Sequence, residues 1–197
     1  MNKAPPWQLN SALVEDRLNT IARAFLDVYY KVEEQLSTDD DCNYTRGSTF
    51  FGRSRNRLIA MTQSDDYPWL ELSNGAMDVT CKISGVPFRF FRDDHDSPKK
   101  RGFWRRNASD QLFASDDITP VIFRFIVERP VSEDEVPEIY FLGYNSTEIL
   151  VTEWRYGQVP VLRSTDEIVP KSVEKGPAPI DVRPEEEDQQ GDSQKEK

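Results

Sequence analysis

The chain is short of the residues that most often carry chemistry. It holds a single histidine, His95, and two cysteines, Cys42 and Cys81, among 197 residues. Two cysteines so placed fit neither a zinc-ligand spacing nor a C-x-x-C redox pair, and they exclude a disulfide-stapled scaffold; reduced, buried thiols are the expected state. No G-x-x-x-x-G-K-[ST] loop and no G-x-G-x-x-G turn is present to cradle phosphates. No G-x-S-x-G elbow presents a serine, and any Ser-His-Asp triad would have to use His95. Cys81 alternates with polar neighbours in a strand-like run, an apolar setting that does not make a thiolate. These absences lead us to expect a protein that is not an enzyme and that needs no cofactor.

Long apolar runs are missing too. No window approaches the eighteen or so uninterrupted apolar residues that suggest a membrane span. The first residues, MNKAPPWQLNSALVEDR, have a lysine but no apolar core before Glu15 and Asp16, so a cytoplasmic location is expected. The Asn-x-Ser/Thr triplets at Asn43, Asn107 and Asn145 then read as chance. Positive charge is in deficit, with 25 Lys and Arg against 35 Asp and Glu and a net charge of −10. A protein that coats duplex nucleic acid is normally basic, because neutralising phosphates drives that binding. A local basic patch is still allowed.

Aromatic residues are plentiful: Phe 11, Tyr 7 and Trp 4. They argue for a packed core, since disordered chains are poor in them. Over residues 11–37, Val14, Leu18, Ile21, Phe25, Val28 and Val32 recur at steps of four and three, which is one apolar stripe on an α-helix capped by Asn10 or Ser11. The stripe suits packing on the protein's own sheet, and a homodimer seam along residues 14–32 is the alternative. Residues 39–67 are ambiguous, with a turn near Gly47 and either a short helix or a strand over 50–63.

The period then changes to two. Trp69–Ser73, the alternating Met77, Val79, Cys81 and Ile83, Pro87–Arg92, the face Val121, Phe123, Phe125 and Val127, Glu138–Tyr144 and Ile149–Tyr156 read as strands, with turns at Asn74-Gly75, Ser84-Gly85 and Asn145-Ser146. Strands this close pair antiparallel, because parallel crossovers need a dozen or more residues. The fold class expected is α+β: an N-terminal amphipathic helix on an antiparallel, meander-like sheet of five or six strands. Residues 1–10 read as a flexible start, 11–169 as one domain, and 170–197, which lack any aromatic residue, as a disordered acidic tail.

Two local constellations remain. In Asp93-Asp94-His95-Asp96, the residues Asp94, His95 and Asp96 are metal-ligand types, and a metal-dependent hydrolase could be built on them. Adjacent residues rarely converge on one ion, however, and a solvated acidic turn is the simpler reading. The second constellation is basic. Lys99, Lys100, Arg101, Arg105 and Arg106 surround Phe103 and Trp104, and Arg53, Arg55 and Arg57 form an acid-free run upstream. Arginines with aromatics anchor protein interfaces and also grip single-stranded nucleic acid. Asp93–Asp96 would repel phosphate, which favours another protein as partner. The expected role is an adaptor, inhibitor or antitoxin/immunity-like module, with a nucleic-acid-binding regulator as the alternative.

Overall fold

The computed structural model describes residues 3–105, 120–130 and 136–157. Arg106 and the acidic tail from residue 170 lie outside the described residues. Element order is α1 (Pro6–Leu9), α2 (Glu15–Gln35), α3 (Asn43–Thr62), β1 (Leu70–Asn74), β2 (Thr80–Ile83), β3 (Val86–Phe91), β4 (Ile122–Glu128), β5 (Glu138–Tyr144) and β6 (Leu150–Arg155). The class is α+β, as the change of period from helix-like to strand-like requires.

On α2 the stripe Leu18, Ile21, Phe25, Val28 and Val32 is buried in the main core. Phe25 sits at its centre, with ring centroids 5.0 Å from Phe90 and 5.6 Å from Phe125. A dimer seam along this stripe would require the helix to leave its own sheet. The helix starts later than Asn10 or Ser11: Val14 is at the N-cap, and Asn10 Oδ1 instead accepts the Ala12 N–H at 3.0 Å. Glu15 and Asp16 in the first turn meet the positive end of the helix dipole.

The ambiguous stretch is α3, a helix of 20 residues. Cys42 and Thr45 open it with a reciprocal capping box, in which Thr45 Oγ1 accepts the Cys42 N–H at 2.9 Å. Gly47, expected at a turn, lies inside the helix with open space around it. Ahead of α2 the chain is fastened to the sheet. Ala4 bridges β6 at Thr152, whose hydroxyl donates to the Ala4 carbonyl at 2.5 Å, and Pro6 is buried.

The six strands lie in sequence order and all neighbours pair antiparallel except β3 and β4, which are parallel. The sheet is therefore meander-like but not wholly antiparallel: two three-stranded meanders are joined by a parallel seam. The seam is possible because residues 92–121 are long enough to return the chain to the starting end of the sheet. In its register Phe88 faces Phe123, Arg89 faces Arg124 and Phe90 faces Phe125, so two Phe-Arg-Phe triplets lie side by side. The Ser84-Gly85 turn has φ of 46° and 88°, the double positive φ of a tight hairpin. Asn74-Gly75 does not make such a turn; the β1–β2 connection runs on to residue 79 after a bulge at Leu72/Asn74, and leaves Met77 exposed.

Central strands are buried on both faces. The helical side holds Phe88, Phe90, Phe123, Phe125 and Phe141, and the opposite side holds Ile122, Ile126, Tyr140, Leu142 and Tyr144. Val121 precedes β4 and belongs to the second group, away from Phe123. Gly143 is required by packing: a Cβ there would stand 2.4 Å from Thr152 Cγ2 and 3.0 Å from Phe123 Cε1. Among the described residues, no helix is long and apolar enough to cross a membrane.

Candidate functional site

The face of the sheet away from the helices is covered in part by the chain that follows β3, and two arginines hold that chain in place. Arg89 on β3 donates to the Gly102 carbonyl at 3.0 Å. Arg124, beside it on β4 and 1% exposed, donates to the carbonyls of Phe103 at 2.9 Å, Arg105 at 3.0 Å and Phe123 at 2.8 Å. A guanidinium suits this task because its donors are fixed in a planar fork. Asp78 balances part of the charge, pairing with Arg89 at 2.8 Å and with Arg105.

This arrangement divides the basic segment into two parts. Phe103 is 1% exposed and packs on Phe91 at 5.1 Å, while Trp104 lies 4.8 Å from both Phe103 and Tyr144. Phe103 is thus core and has no face left to stack a base, and Trp104 is half-buried beside it. Arg105 is committed to Asp78. Lys99, Lys100 and Arg101 form the free part. Their position is set by Asp93, whose Oδ2 accepts the backbone N–H of Lys99 at 2.8 Å and of Lys100 at 2.7 Å. Their side chains are exposed, and no hydrogen bond or ion pair within the described residues engages them.

Lys100 and Arg101 line an open cleft of about 800 Å³ at the end of the sheet where β3 and β4 finish. The carboxyl ends of parallel strands are a common place for binding, since the backbone diverges there and leaves a crevice. The first turns of α3 form one wall through Asn43, Tyr44, Gly47 and Ser48, and the β1–β2 connection adds Met77, Asp78 and Val79. Arg89, Arg92 and Arg129 join Lys100 and Arg101, giving five cations around the cleft against a single carboxylate, Asp78. Arg92 is anchored from behind: it donates to Glu33 at 3.2 Å and lies 5.3 Å from the Tyr29 ring. Burial, then the Glu33 charge, raises the Tyr29 hydroxyl pKa, with Arg92 and Arg129 opposing, so Tyr29 remains a neutral packing surface.

The upstream basic run does not join this cleft as a unit. Arg55 reaches across to the β1–β2 turn, donating to the carbonyls of Gly75 and, at 3.3 Å, Ala76. Arg53 and Arg57 are exposed, but at 100° per residue they fall on the side of α3 opposite Phe51, the residue that faces the cleft. One continuous basic surface is not formed.

His95 is fixed in place by its neighbours. Its ring stacks on Tyr140 at 3.9 Å and 5°, Nδ1 bonds Glu128, and Nε2 lies 3.4 Å from Asp96. The ligand atoms of Asp94, His95 and Asp96 do come within 4.8 Å of one another. Asp94 Oδ1, however, accepts the N–H groups of Asp96 and Ser97 at 2.9 and 3.1 Å, the pattern of a turn held by its own first residue. His95 clamps the start of the crossover onto β4 and β5. Tyr140, held above its ordinary pKa by burial and then by its bond to Glu138, is a neutral platform for the ring.

Sequence reasoning missed Arg89, Arg92, Arg129, Tyr44 and Met77 as cleft residues. The usable signal was the repeated Phe-Arg-Phe of Phe88–Phe90 and Phe123–Phe125, an arginine inside an otherwise apolar strand, twice. No family model, no curated protein and no solved structure matches this chain.

Proposed function

We propose that this protein is a non-enzymatic interaction module and that its cleft receives an acidic segment of a partner protein. The observation that carries this reading is the concentration of five cations around one opening, against one carboxylate, in a chain of net charge −10. Such a local reversal of sign steers and orients an oppositely charged partner. The start of α3 lies along the same wall and adds the partial positive charge of a helix N-terminus. The buried position of Phe103 and the separation of Arg53 and Arg57 from the cleft both disfavour nucleic acid.

The test is affinity purification from the native host, with and without nuclease, of the wild-type chain and of a Lys100→Glu/Arg101→Glu variant. A stoichiometric, nuclease-resistant protein that the double variant loses supports the reading. Loss of all partners on nuclease treatment would replace it with a nucleic-acid-binding role. Equal recovery by both chains would move the interface elsewhere on the molecule.

A further inference from the structure

The cleft has a second chemical character that charge alone does not explain. Among the described residues, the two most exposed large hydrophobic side chains are Tyr44, at 80%, and Met77, at 74%. Both are at the cleft, one on the first turn of α3 and the other on the β1–β2 connection. Single exposed apolar residues need no explanation, but two converging on one concavity do. Phe51 lies below them, stacked on Phe90 at 5.5 Å and 26° and only partly covered. Methionine and tyrosine are suited to such a role: the first adapts its shape, and the second offers a rigid apolar body with a polar tip.

Neither side chain is at the end of a loose loop. The connection that carries Met77 is held by Arg55 through the Gly75 and Ala76 carbonyls, and by Asn74, which accepts the Ala76 N–H at 3.0 Å and donates to the Asp78 carbonyl at 3.1 Å. Asp78 is tied in turn to Arg89 and Arg105. Tyr44 lies in the first turn of α3, just inside the capping box. The apolar pair is therefore presented from α3 and the β1–β2 connection, while Lys100, Arg101 and Arg129 are presented from the crossover and the end of β4.

Building on the acidic-partner reading above, we infer that the segment bound here is amphipathic: an acidic peptide bearing a bulky apolar side chain. The apolar side chain seats between Tyr44 and Met77 over Phe51, and the flanking carboxylates meet Lys100, Arg101 and Arg129. Charge sets orientation and encounter rate, and the buried apolar anchor supplies most of the difference between partners. A purely acidic chain would leave Tyr44 and Met77 in water and gain nothing from them.

The inference is tested by fluorescence anisotropy on the full chain with three labelled ten-residue peptides: Glu/Asp-rich, Glu/Asp-rich with a central Phe-Leu, and Ser/Gly-rich with the same Phe-Leu. The acidic peptide with Phe-Leu should bind about tenfold or more tightly than the acidic one, the worth of one buried side chain. A Tyr44→Ser/Met77→Ser variant should abolish that ratio while leaving the acidic peptide's affinity in place, and Lys100→Glu/Arg101→Glu should weaken both. Equal binding of the two acidic peptides, or an unchanged ratio in the serine variant, overturns the amphipathic inference and leaves the acidic-partner reading standing. Binding of neither acidic peptide overturns both, and tighter binding of a single-stranded oligonucleotide assigns the cleft to nucleic acid instead.

Discussion

Against α2 and α3 the sheet presents phenylalanine after phenylalanine, whereas against the crossover it presents a smaller apolar patch interrupted by Arg89 and Arg124. The helical face is closed by area. Burial of apolar surface is non-directional, so Phe25, Phe90 and Phe125 need only fill their space. The crossover face is closed by direction. Its arginines bond carbonyls of Gly102, Phe103 and Arg105, and a carbonyl bond depends on where the backbone runs rather than on which side chain it carries. Asp93 likewise holds Lys99 and Lys100 by their backbone N–H groups, so that Lys100 and Arg101 are displayed at the cleft while Phe103 fills the core.

The comparison can be broken or sharpened by substitution. Phe25→Ala removes the centre of the helical core and should cost about 3–5 kcal/mol, measured by denaturant unfolding, with the whole fold lost in one transition. Arg124→Met keeps much of the buried volume but orphans carbonyls beneath it, and should cost roughly 2–4 kcal/mol. Hydrogen exchange should then rise over residues 99–105 while α2 stays protected; equal loosening of α2 would show that the two faces are not separable. Gly143→Ala forces a methyl against Thr152 and Phe123, an overpacking cost of about 1–3 kcal/mol, read from the shift in denaturation midpoint. The smallest effect is chemical. Backbone N–H groups of Thr45, then Tyr44, lower the Cys42 thiol pKa, whereas burial pushes Cys81 up to about 12. A neutral-pH alkylating reagent should label Cys42 in the folded protein and reach Cys81 only after unfolding, as peptide mass mapping would show.

Much of the fold was legible because its periods are clean. Most of the α2 stripe, from Leu18 to Val32, is buried as its period requires, and Cys81 and Ile83 on β2 are buried around a half-buried Lys82. α3 was not, because its inward face is narrow: Phe50, Leu58 and Met61 are buried together with a serine, Ser54, and Gly47 reads as a turn. The parallel pairing was hidden for a different reason. Nothing in residues 92–121 has the helical period that usually announces a crossover, so antiparallel neighbours were the natural expectation. At the site, cation count pointed to a segment that lines the cleft but not to the division within it. Whether Phe103 faces a partner or the core depends on Arg89 and Arg124, residues remote in sequence, and composition cannot express that dependence. Tyr44 and Met77 carry no pattern at all until α3 and the β1–β2 connection are brought together.

The parallel seam between β3 and β4 also sets an order of events for the folding chain. On either side of it the strands are joined by short connections, so each half can form from contacts close in sequence. The seam cannot form until roughly thirty residues of intervening chain are closed into a loop, an entropic toll of about 3 kcal/mol on a logarithmic scale. Its Phe-Arg-Phe register is thus the junction at which two local ribbons become one sheet, and the cleft, lying at the end of that junction, comes into being only with the last step.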